Sequence, residues 1–544
     1  MKRLMYIFLI ICSISLIGGC GKTNDNNKDN EVKEDINEEE NKDVEEEKEP
    51  VKAFGGELKL LMRNPSTLNP LVNNDRTVDQ ALKLVFDSLF ILDEKEKPMP
   101  NLVDSYELSS TGTSITIKLK KNILFHDKEE LHSDDVVYSI ETLKNAPDDA
   151  VYKSNVANYK RISIIDEYSF KIYFDQPFAF SLYTMTFPII PKHHYSDSLD
   201  MNMNPIGTGA YSFTDFTAMK ELNLTANNDW FKHKLYVENI KIIITRDKDY
   251  DKDAFDQKIV DLITPIKFDW QKYADKEGVN LTEYTTYYYT FLGFNFNNKV
   301  LNDKNIRKSI AYAINRQAII KNEFLNHAKI NEYPYHPLSW LNETNNLIYN
   351  IDIDKSKELV NASGYSDSDE DNILDKNIDN IKRNLELRLL VNNENPVRVS
   401  IANKIKESLE NIGFVINLDL VDNVTYNNKI MNKDFDILLA EWKLSQIPDL
   451  TFAFHSSAIE EGKNFINYSN VDMDRVLESI FNSVNENDLM DGIKEFKSLF
   501  VDDVPYLSLF FRTSAVISND RVYGELTPSI YNNYNGIQNL FIFE

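Results

Sequence analysis

Cysteine is almost absent from this sequence: 544 residues contain two, Cys12 and Cys20. Neither a disulfide framework nor a thiolate-rich metal centre can be built on that supply. Basic charge is also short, with 60 Lys and Arg against 86 Asp and Glu, a formal net charge of −26. So acidic a chain repels phosphate backbones, and nucleic acid is excluded as an expected partner. A mean hydropathy of −0.41 excludes a polytopic membrane protein. Catalytic patterns are missing as well: there is no G-x-S-x-G elbow, no H-E-x-x-H and no C-x-x-C. Gly21-Lys22-Thr23 imitates the end of a phosphate-binding loop, but Leu16 stands where that loop needs glycine. We therefore expect no enzyme, no resident metal and no cofactor. A secreted hydrolase would need a carboxylate pair at a set separation, which a sequence does not display.

Large apolar side chains are plentiful. Hydrophobic residues make up 42% and aromatics 12%, including 31 Phe and 28 Tyr, enough for substantial cores. At about 150 residues per domain, the length suggests three or four domains. The chain opens with Lys2 and Arg3, an apolar run from Leu4 to Ile17, then Gly18-Gly19-Cys20. This reads as an export signal over residues 1–19, too short in its apolar part to span a membrane well. Ile17-Gly18-Gly19-Cys20 resembles a bacterial lipobox, so Cys20 is expected to carry lipid and become the mature amino terminus. From Lys22 to Lys52 there are 13 acidic and 6 basic residues and almost nothing apolar. With cysteine included, residues 20–52 are expected to form a solvated tether.

Beyond residue 53 periodic segments begin. Leu58, Leu60 and Met62 alternate as in a half-buried strand, and so do Ile115, Ile117 and Leu119. Val78, Ala81, Leu82, Val85, Phe86 and Leu89 follow helical spacing. Ser133 and Asp303 stand as N-caps before helices carrying Val136, Ile140 and Leu143, and Ile306, Ile310 and Ala313. Between 385 and 439 the pattern reads strand, helix opened by Pro396 and closed by Gly413, strand, strand. That order predicts parallel pairing around a crossover helix. His193 and His194 are adjacent, make a poor chelate and read as surface loop. Asp367-Ser368-Asp369-Glu370-Asp371 imitates a calcium loop, but the glycine and glutamate that loop requires are replaced by Asn372 and Ile378. A solvated hairpin is expected there.

A set of segments in fixed order resembles the family 5 extracellular solute-binding proteins, the oligopeptide, dipeptide and nickel binders of ABC importers. They are Thr67-Leu68-Asn69-Pro70, Val85-Phe86-Asp87-Ser88-Leu89, Pro100-Asn101-Leu102 with Ser105-Tyr106-Glu107, and Phe125-His126-Asp127 with Asp135-Val136. Pro205-Ile206-Gly207-Thr208-Gly209-Ala210-Tyr211 is the most specific, followed by Asn227 to Phe231 and by Asn295, Asp303, Arg307 and Ala311 to Arg316. Phe435-Asp436, Trp442, Asn464 and Tyr468 complete the order.

The resemblance implies an α/β, two-lobed periplasmic-binding-protein-like fold of type II with an extra inserted subdomain. Lobe I would comprise residues 53–75, 195–285 and 510–544, the insertion 76–194, and lobe II 286–509. It implies capture of oligopeptides or similar solutes by lobe closure, and delivery to ABC permease subunits at the outer face of a bacterial cell membrane. A monomer held by the lipid on Cys20 is expected. The alternative on the same fold is a receptor for a signalling peptide or a nickel-type chelate. Ligand-binding residues implied are Trp442, Ser445, Glu441, Asn74, Arg76, Asn295, Asn464 and Tyr468. Gly207 and Gly209 are expected to form a tight turn where the chain crosses between lobes. Peptide-binding members carry an aspartate three residues after the tryptophan, against the ligand's amino group, and here Ser445 stands in its place. A hydroxyl does not offset a buried ammonium charge, so Glu441 or Asp449 would take the role, or the ligand lacks a free amino group there. Arg76 is a cation able to meet a ligand carboxylate, and equally able to face solvent.

Overall fold

The computed structural model describes residues 52–196, 203–246, 249–265, 268–342, 346–371 and 373–543. The export signal, Cys20 and the tether up to residue 51 lie outside the described residues. The alternation of Leu58, Leu60 and Met62 becomes the strand Gly55–Arg63, with all three side chains buried. It pairs in parallel with Val237–Thr245, and that sheet continues antiparallel through Glu221–Ala226 to Tyr211–Thr217. A second four-stranded sheet is antiparallel throughout, in the order Val103–Leu108, Ser114–Leu119, Ser169–Phe174, Tyr159–Asp166. One hydrophobic cluster serves both.

The largest sheet has seven strands. Six run in the order Leu262–Ile263, Tyr506–Asn519, Val279–Phe294, Ile437–Lys443, Glu386–Asn392, Val415–Val421, and Ala328–Lys329 pairs with the second of these. The α/β unit forms as its pattern predicts. Helix Pro396–Glu410 is capped by Asn395 and carries proline in its first turn, and Gly413 takes φ +96° just beyond its end. The flanking strands Glu386–Asn392 and Val415–Val421 are parallel, and Ile437–Lys443 adds in parallel on the other side. Asp303 caps helix Lys304–Ala313. The helix Ser133–Lys144 starts one residue earlier than the pattern suggests, with His132 as its N-cap. The antiparallel strands Val279–Phe294 and Tyr506–Asn519 join one core to another. Val516 belongs to the cluster of the four-stranded sheets, whereas Leu507 and Phe510 belong to the cluster around the α/β unit. Their register slips between Thr285 and Tyr289, where the strands pass from one to the other.

Two expectations need correction. The helix that opens at Arg76 ends at Leu82, although the helical spacing of apolar residues runs on to Leu89. The carbonyls of Leu84 and Val85 instead accept hydrogen bonds from the backbone of Tyr211 and Gly209, at 2.9 Å each. Tertiary pairing takes the chain out of the helix and keeps the apolar side chains buried. The same contact explains the two glycines. Neither adopts a left-handed backbone. A Cβ on Gly207 would stand 2.1 Å from the Val85 carbonyl oxygen, and one on Gly209 2.5 Å from the Val85 carbonyl carbon. Close backbone approach requires them, not a turn between lobes.

Around this crossing the family-like segments lock to one another. His126 receives the Gly207 amide on Nδ1 at 3.3 Å and donates from Nε2 to the Gly209 carbonyl at 3.1 Å. That pairing fixes a neutral ring, and burial holds its pKa below the usual histidine value. The buried Asp87 carboxylate accepts from Asn101 (3.1 Å), Thr208 (3.3 Å), the Trp230 indole (3.2 Å) and Lys232 (3.0 Å). Further along, Arg307 donates to the carbonyls of Leu301 and Asp503, and Arg316 forms a buried pair with Glu332 at 2.6 Å. These are polar groups that burial compels to find partners. Because the Val85 backbone has no room to yield, Gly209→Ala should lose about 1–3 kcal/mol of stability. The expected reading is a lower urea midpoint with an unchanged slope; an unchanged midpoint would contradict this packing.

Candidate functional site

A cavity of about 270 Å³ opens between the first sheet and the seven-stranded one. On one side lie the end of strand Gly55–Arg63 and the helix Arg76–Leu82; on the other lie Tyr284 to Tyr288, Lys443 and Arg512 to Ser514. The segment Ile530–Tyr534 forms a third wall. It is held there by Gln80, which donates to the Tyr531 carbonyl at 3.1 Å and accepts from the Asn533 amide at 2.7 Å.

The lining carries four cations, Arg63, Arg76, Lys443 and Arg512, and among the described residues one acid, Asp251. Arg63 and Asp251 form a two-pronged pair at 2.8 and 2.6 Å, the geometry that suits guanidinium and carboxylate. Arg512 meets Glu441 at 2.8 Å, and its guanidinium carbon lies 4.2 Å from the Tyr288 ring centroid. Both pairs are internally neutralised. Lys443 stands directly across from Tyr288 in the sheet, its ammonium 5.9 Å from the ring centroid. Partial burial, and after it the charge of Arg76, hold the Lys443 pKa below the usual lysine value. Two cations from separate parts of the chain thus share this cavity without a carboxylate between them among the described residues.

A second, smaller cavity of about 30 Å³ lies behind Tyr531. Tyr531 donates to the Leu444 carbonyl at 2.8 Å and meets the Tyr287 ring edge-on at 4.9 Å. Leu444 and Tyr287 line the small cavity together with Glu96, His336, Ser445 and Asp449. Glu96 sits at φ 61° in the turn between strands Phe90–Leu92 and Pro98–Pro100. Its carboxyl accepts from the Tyr287 hydroxyl and stands 3.8 Å from His336 Nδ1. Burial pushes its pKa up to about 7, against the Tyr287 hydrogen bond. Burial also lowers His336 to about 4, and its Nε2 donates to the Thr285 carbonyl at 3.3 Å. Around this turn the segments near residues 95 and 340 are joined. Trp340 donates its backbone N–H to Lys95 (2.7 Å) and its indole N–H to the Tyr183 hydroxyl (2.8 Å), and Lys97 pairs with Glu486 at 2.8 Å.

The structure sorts the residues expected at the site. Arg76 lines the large cavity and Ser445 the small one. Glu441 is committed to Arg512, and Asp449 accepts the Thr451 amide and hydroxyl at 2.9 and 2.6 Å. Trp442 lines neither cavity. Side chains alternate along strand Ile437–Lys443, so Lys443 faces the cavity while Trp442 turns to a core of Phe291, Phe452 and Phe465. Asn74 is exposed and donates to Asp149 at 2.6 Å. Asn295, Asn464 and Tyr468 are buried and spent on their own chain. Asn295 holds the Lys433 and Phe435 carbonyls, Asn464 the His455 and Tyr468 carbonyls, and the Tyr468 hydroxyl donates to Asp503 at 2.7 Å. Sequence reading missed Lys443, Arg512, Tyr288, Tyr531 and Glu96. The signal for Arg512 was available, as a lone cation after Leu509-Phe510-Phe511; the others gave none. His193 lies in a short helix, Lys192–Tyr195, with Nε2 2.8 Å from Asp127. Asp367, Asp369 and Asp371 converge within 4.8 Å and are exposed, with Lys382 on Asp369.

A cavity flanked by two sheets, with polar groups from both sides and buried aromatics behind it, defines a protein that encloses a small solute. The family of bacterial extracellular solute-binding proteins, family 5, matches residues 97–462. The chain belongs to that family. It is 25% identical over 492 residues to the oligopeptide-binding protein AppA of Bacillus subtilis, covering 84% of this chain and 86% of AppA. The AppA structure with a nonapeptide superposes with a TM-score of 0.61 at 22% identity, over 91% of this chain and all of that one. The substrate-binding protein CtaP of Listeria monocytogenes gives 0.74 at 23%, over 90% and 100%. NikZ of Campylobacter jejuni, solved with Ni(L-His), gives 0.62 at 24%, over 87% and 95%. The fold is therefore the two-lobed α/β type of these binding proteins.

Glu96 generates a pH prediction. Its folded pKa lies above that of a free glutamate, so its contribution to stability is full below about 4.5 and is lost as pH rises through about 7. His336, lowered to about 4, acts in the opposite sense, gaining as pH rises toward 6.5. The stability difference between wild type and Glu96→Gln isolates the first. It should shift against the wild type by up to about 3 kcal/mol between pH 4.5 and 7, read by urea unfolding. A pH-independent difference would show that Glu96 does not titrate there.

Proposed function

We propose that the chain is the lipid-anchored, extracellular substrate-binding component of an ABC importer, capturing oligopeptides or similar small solutes for the permease. Cys20 would carry the lipid and residues 20–52 would form the tether, placing the protein at the outer face of a bacterial cytoplasmic membrane as a monomer. Family membership supports the transport role. The large cavity supports solute capture most directly, because its walls come from segments far apart in the chain. Residues 53–75, 195–285 and 510–544 would act as one lobe and 286–509 as the other, with 76–194 inserted in the first. Strands Val279–Phe294 and Tyr506–Asn519 run through both proposed boundaries, and the register slip at 285–289 is a natural place for bending. Binding would be lobe closure over the ligand, without chemistry.

The cationic lining favours a second reading on the same fold, a carboxylate-bearing metal chelate. Calorimetric titration with a mixed pool of short peptides separates the two, together with elemental analysis of protein purified without chelators. For the peptide reading we expect saturable heat and a thermal midpoint that rises with peptide concentration, with no stoichiometric metal. Silence toward all peptides together with about one equivalent of nickel would transfer the assignment to the chelate.

A further inference from the structure

We propose that Glu96 and His336 share one proton across the junction between the turn at residues 93–97 and the lobe 286–509, and that this proton helps hold the protein closed on its solute. The inference rests on the solute-binding reading, with the lobes as proposed above, and adds a control on closure.

The atoms at the junction carry it. The Glu96 side chain is 13% exposed and that of His336 4%. His336 Nε2 faces the Thr285 carbonyl at 3.3 Å and therefore holds the ring's hydrogen. Its Nδ1 is then a bare acceptor, buried and without a hydrogen-bond partner. Glu96 Oε2 accepts the Tyr287 hydroxyl, and Oε1 faces Nδ1 at 3.8 Å. Two acceptors that confront each other out of water cost free energy unless a donor lies between them. A carboxyl proton on Glu96 meets that need, because it removes the buried charge and gives Nδ1 its donor.

No neighbour offers Glu96 a counter-charge. Among the described residues, the small cavity beside it is lined by no lysine or arginine. Its other titratable groups are Tyr183, Tyr287 and Tyr335, whose hydroxyls burial pushes up and keeps uncharged, and Asp449, which is spent on Thr451. Tyr531, packed on Tyr287, is uncharged for the same reason. On the turn itself Asp93 opposes a charge on Glu96, Lys97 is turned to Glu486, and Glu94 and Lys95 are exposed.

The junction crosses the proposed boundary between the insertion and the lobe 286–509. Beside Glu96, Trp340 bonds to Lys95 and Tyr183, and the Ala179 amide donates to the Phe481 carbonyl at 2.9 Å. Opening along this line returns Glu96 to water, where its pKa is the ordinary 4.5, against about 7 when closed. Closure therefore takes up a proton. Its support for the closed state is full below about 4.5 and is lost as pH rises to about 7.

The test uses the mature protein and two variants. Glu96→Gln puts a permanent N–H donor where the carboxyl proton stands, and His336→Phe keeps a ring against Tyr287 without the acceptor. The probe is a pool of short peptides lacking Asp, Glu and His, titrated calorimetrically from pH 5 to 8.5 in buffers of different ionisation enthalpy. Infrared difference spectra and small-angle scattering cover the same range without ligand. The wild type should lose up to about tenfold in affinity per pH unit between about pH 5 and 6.5, level off above about 7.5, and take up about one proton on binding near pH 6. Glu96→Gln should bind tightly at every pH with no uptake, and His336→Phe should move the fall to lower pH. A protonated-carboxyl infrared band that disappears as pH rises through neutrality, and is missing from Glu96→Gln, should accompany these changes. Peptide silence at every pH still upholds the latch, and sinks only the peptide assignment, where that band is present and the radius of gyration grows with pH in the wild type but not in Glu96→Gln. Peptide affinity that is flat between pH 5 and 7 overturns the latch and leaves the solute-binding reading standing. Absence of the band overturns it too, and so does a peptide-silent protein whose radius ignores pH.

Discussion

Burying a carboxylate is tolerable only where donors surround it, and Asp87 meets that condition by drawing three other segments to one point. Asn101, Thr208, Trp230 and Lys232 all donate to it. Beside it the Gly207–Gly209 backbone presses on Val85 at a distance no side chain permits. Together these contacts fix where the first helix ends and where strand Tyr211–Thr217 begins. That helix in turn carries Arg76 to the cavity and, through Gln80, holds the wall that contains Tyr531. Most of the residues that mark the family by sequence are thus in the frame rather than in the cavity lining.

The cavity reverses the charge of the protein that contains it. A surplus of acids favours solubility, whereas the charge of the cavity is set by a few side chains whose partners are chosen locally. Of the four cations there, Arg63 and Arg512 have acids beside them, and Arg76 and Lys443 have no ion-pair partner among the described residues. The Glu96 cluster is separated from these only by Tyr531, and is built on opposite lines: a carboxyl kept near neutrality by burial, against a histidine kept neutral by the same burial. One fold therefore maintains a cationic chamber and a protonation-sensitive contact side by side.

Legibility followed the physics of each feature. Strand Gly55–Arg63, the unit from Glu386 to Val421, the cap at Asp303 and the helix opening at Pro396 depend on local pattern, and the alternation, capping residue and proline announced them. Helix Arg76–Leu82 was overextended because the apolar spacing continues past the point where backbone pairing with Gly209 and Tyr211 takes over. A site role for Trp442 is implied by the family-like pattern that flanks it, while the facing of a strand is fixed only by its partners. Asn295, Asn464 and Tyr468 mark the family as well as a binding residue would, and spend every bond on their own chain.

By itself the sequence pointed to the class, through ordered motifs that belong to one family of solute-binding proteins. Those are properties of composition, periodicity and short-range spacing, which survive without a third dimension. Only the tertiary structure decided which polar residues are free. Arg63 and Arg76 look alike in sequence, as do Glu441 and Asp449, but whether a charge is spent on a neighbour or left for a ligand depends on groups tens or hundreds of residues away. Electrostatic pairing acts over a few ångströms of space, and the chain records that distance nowhere.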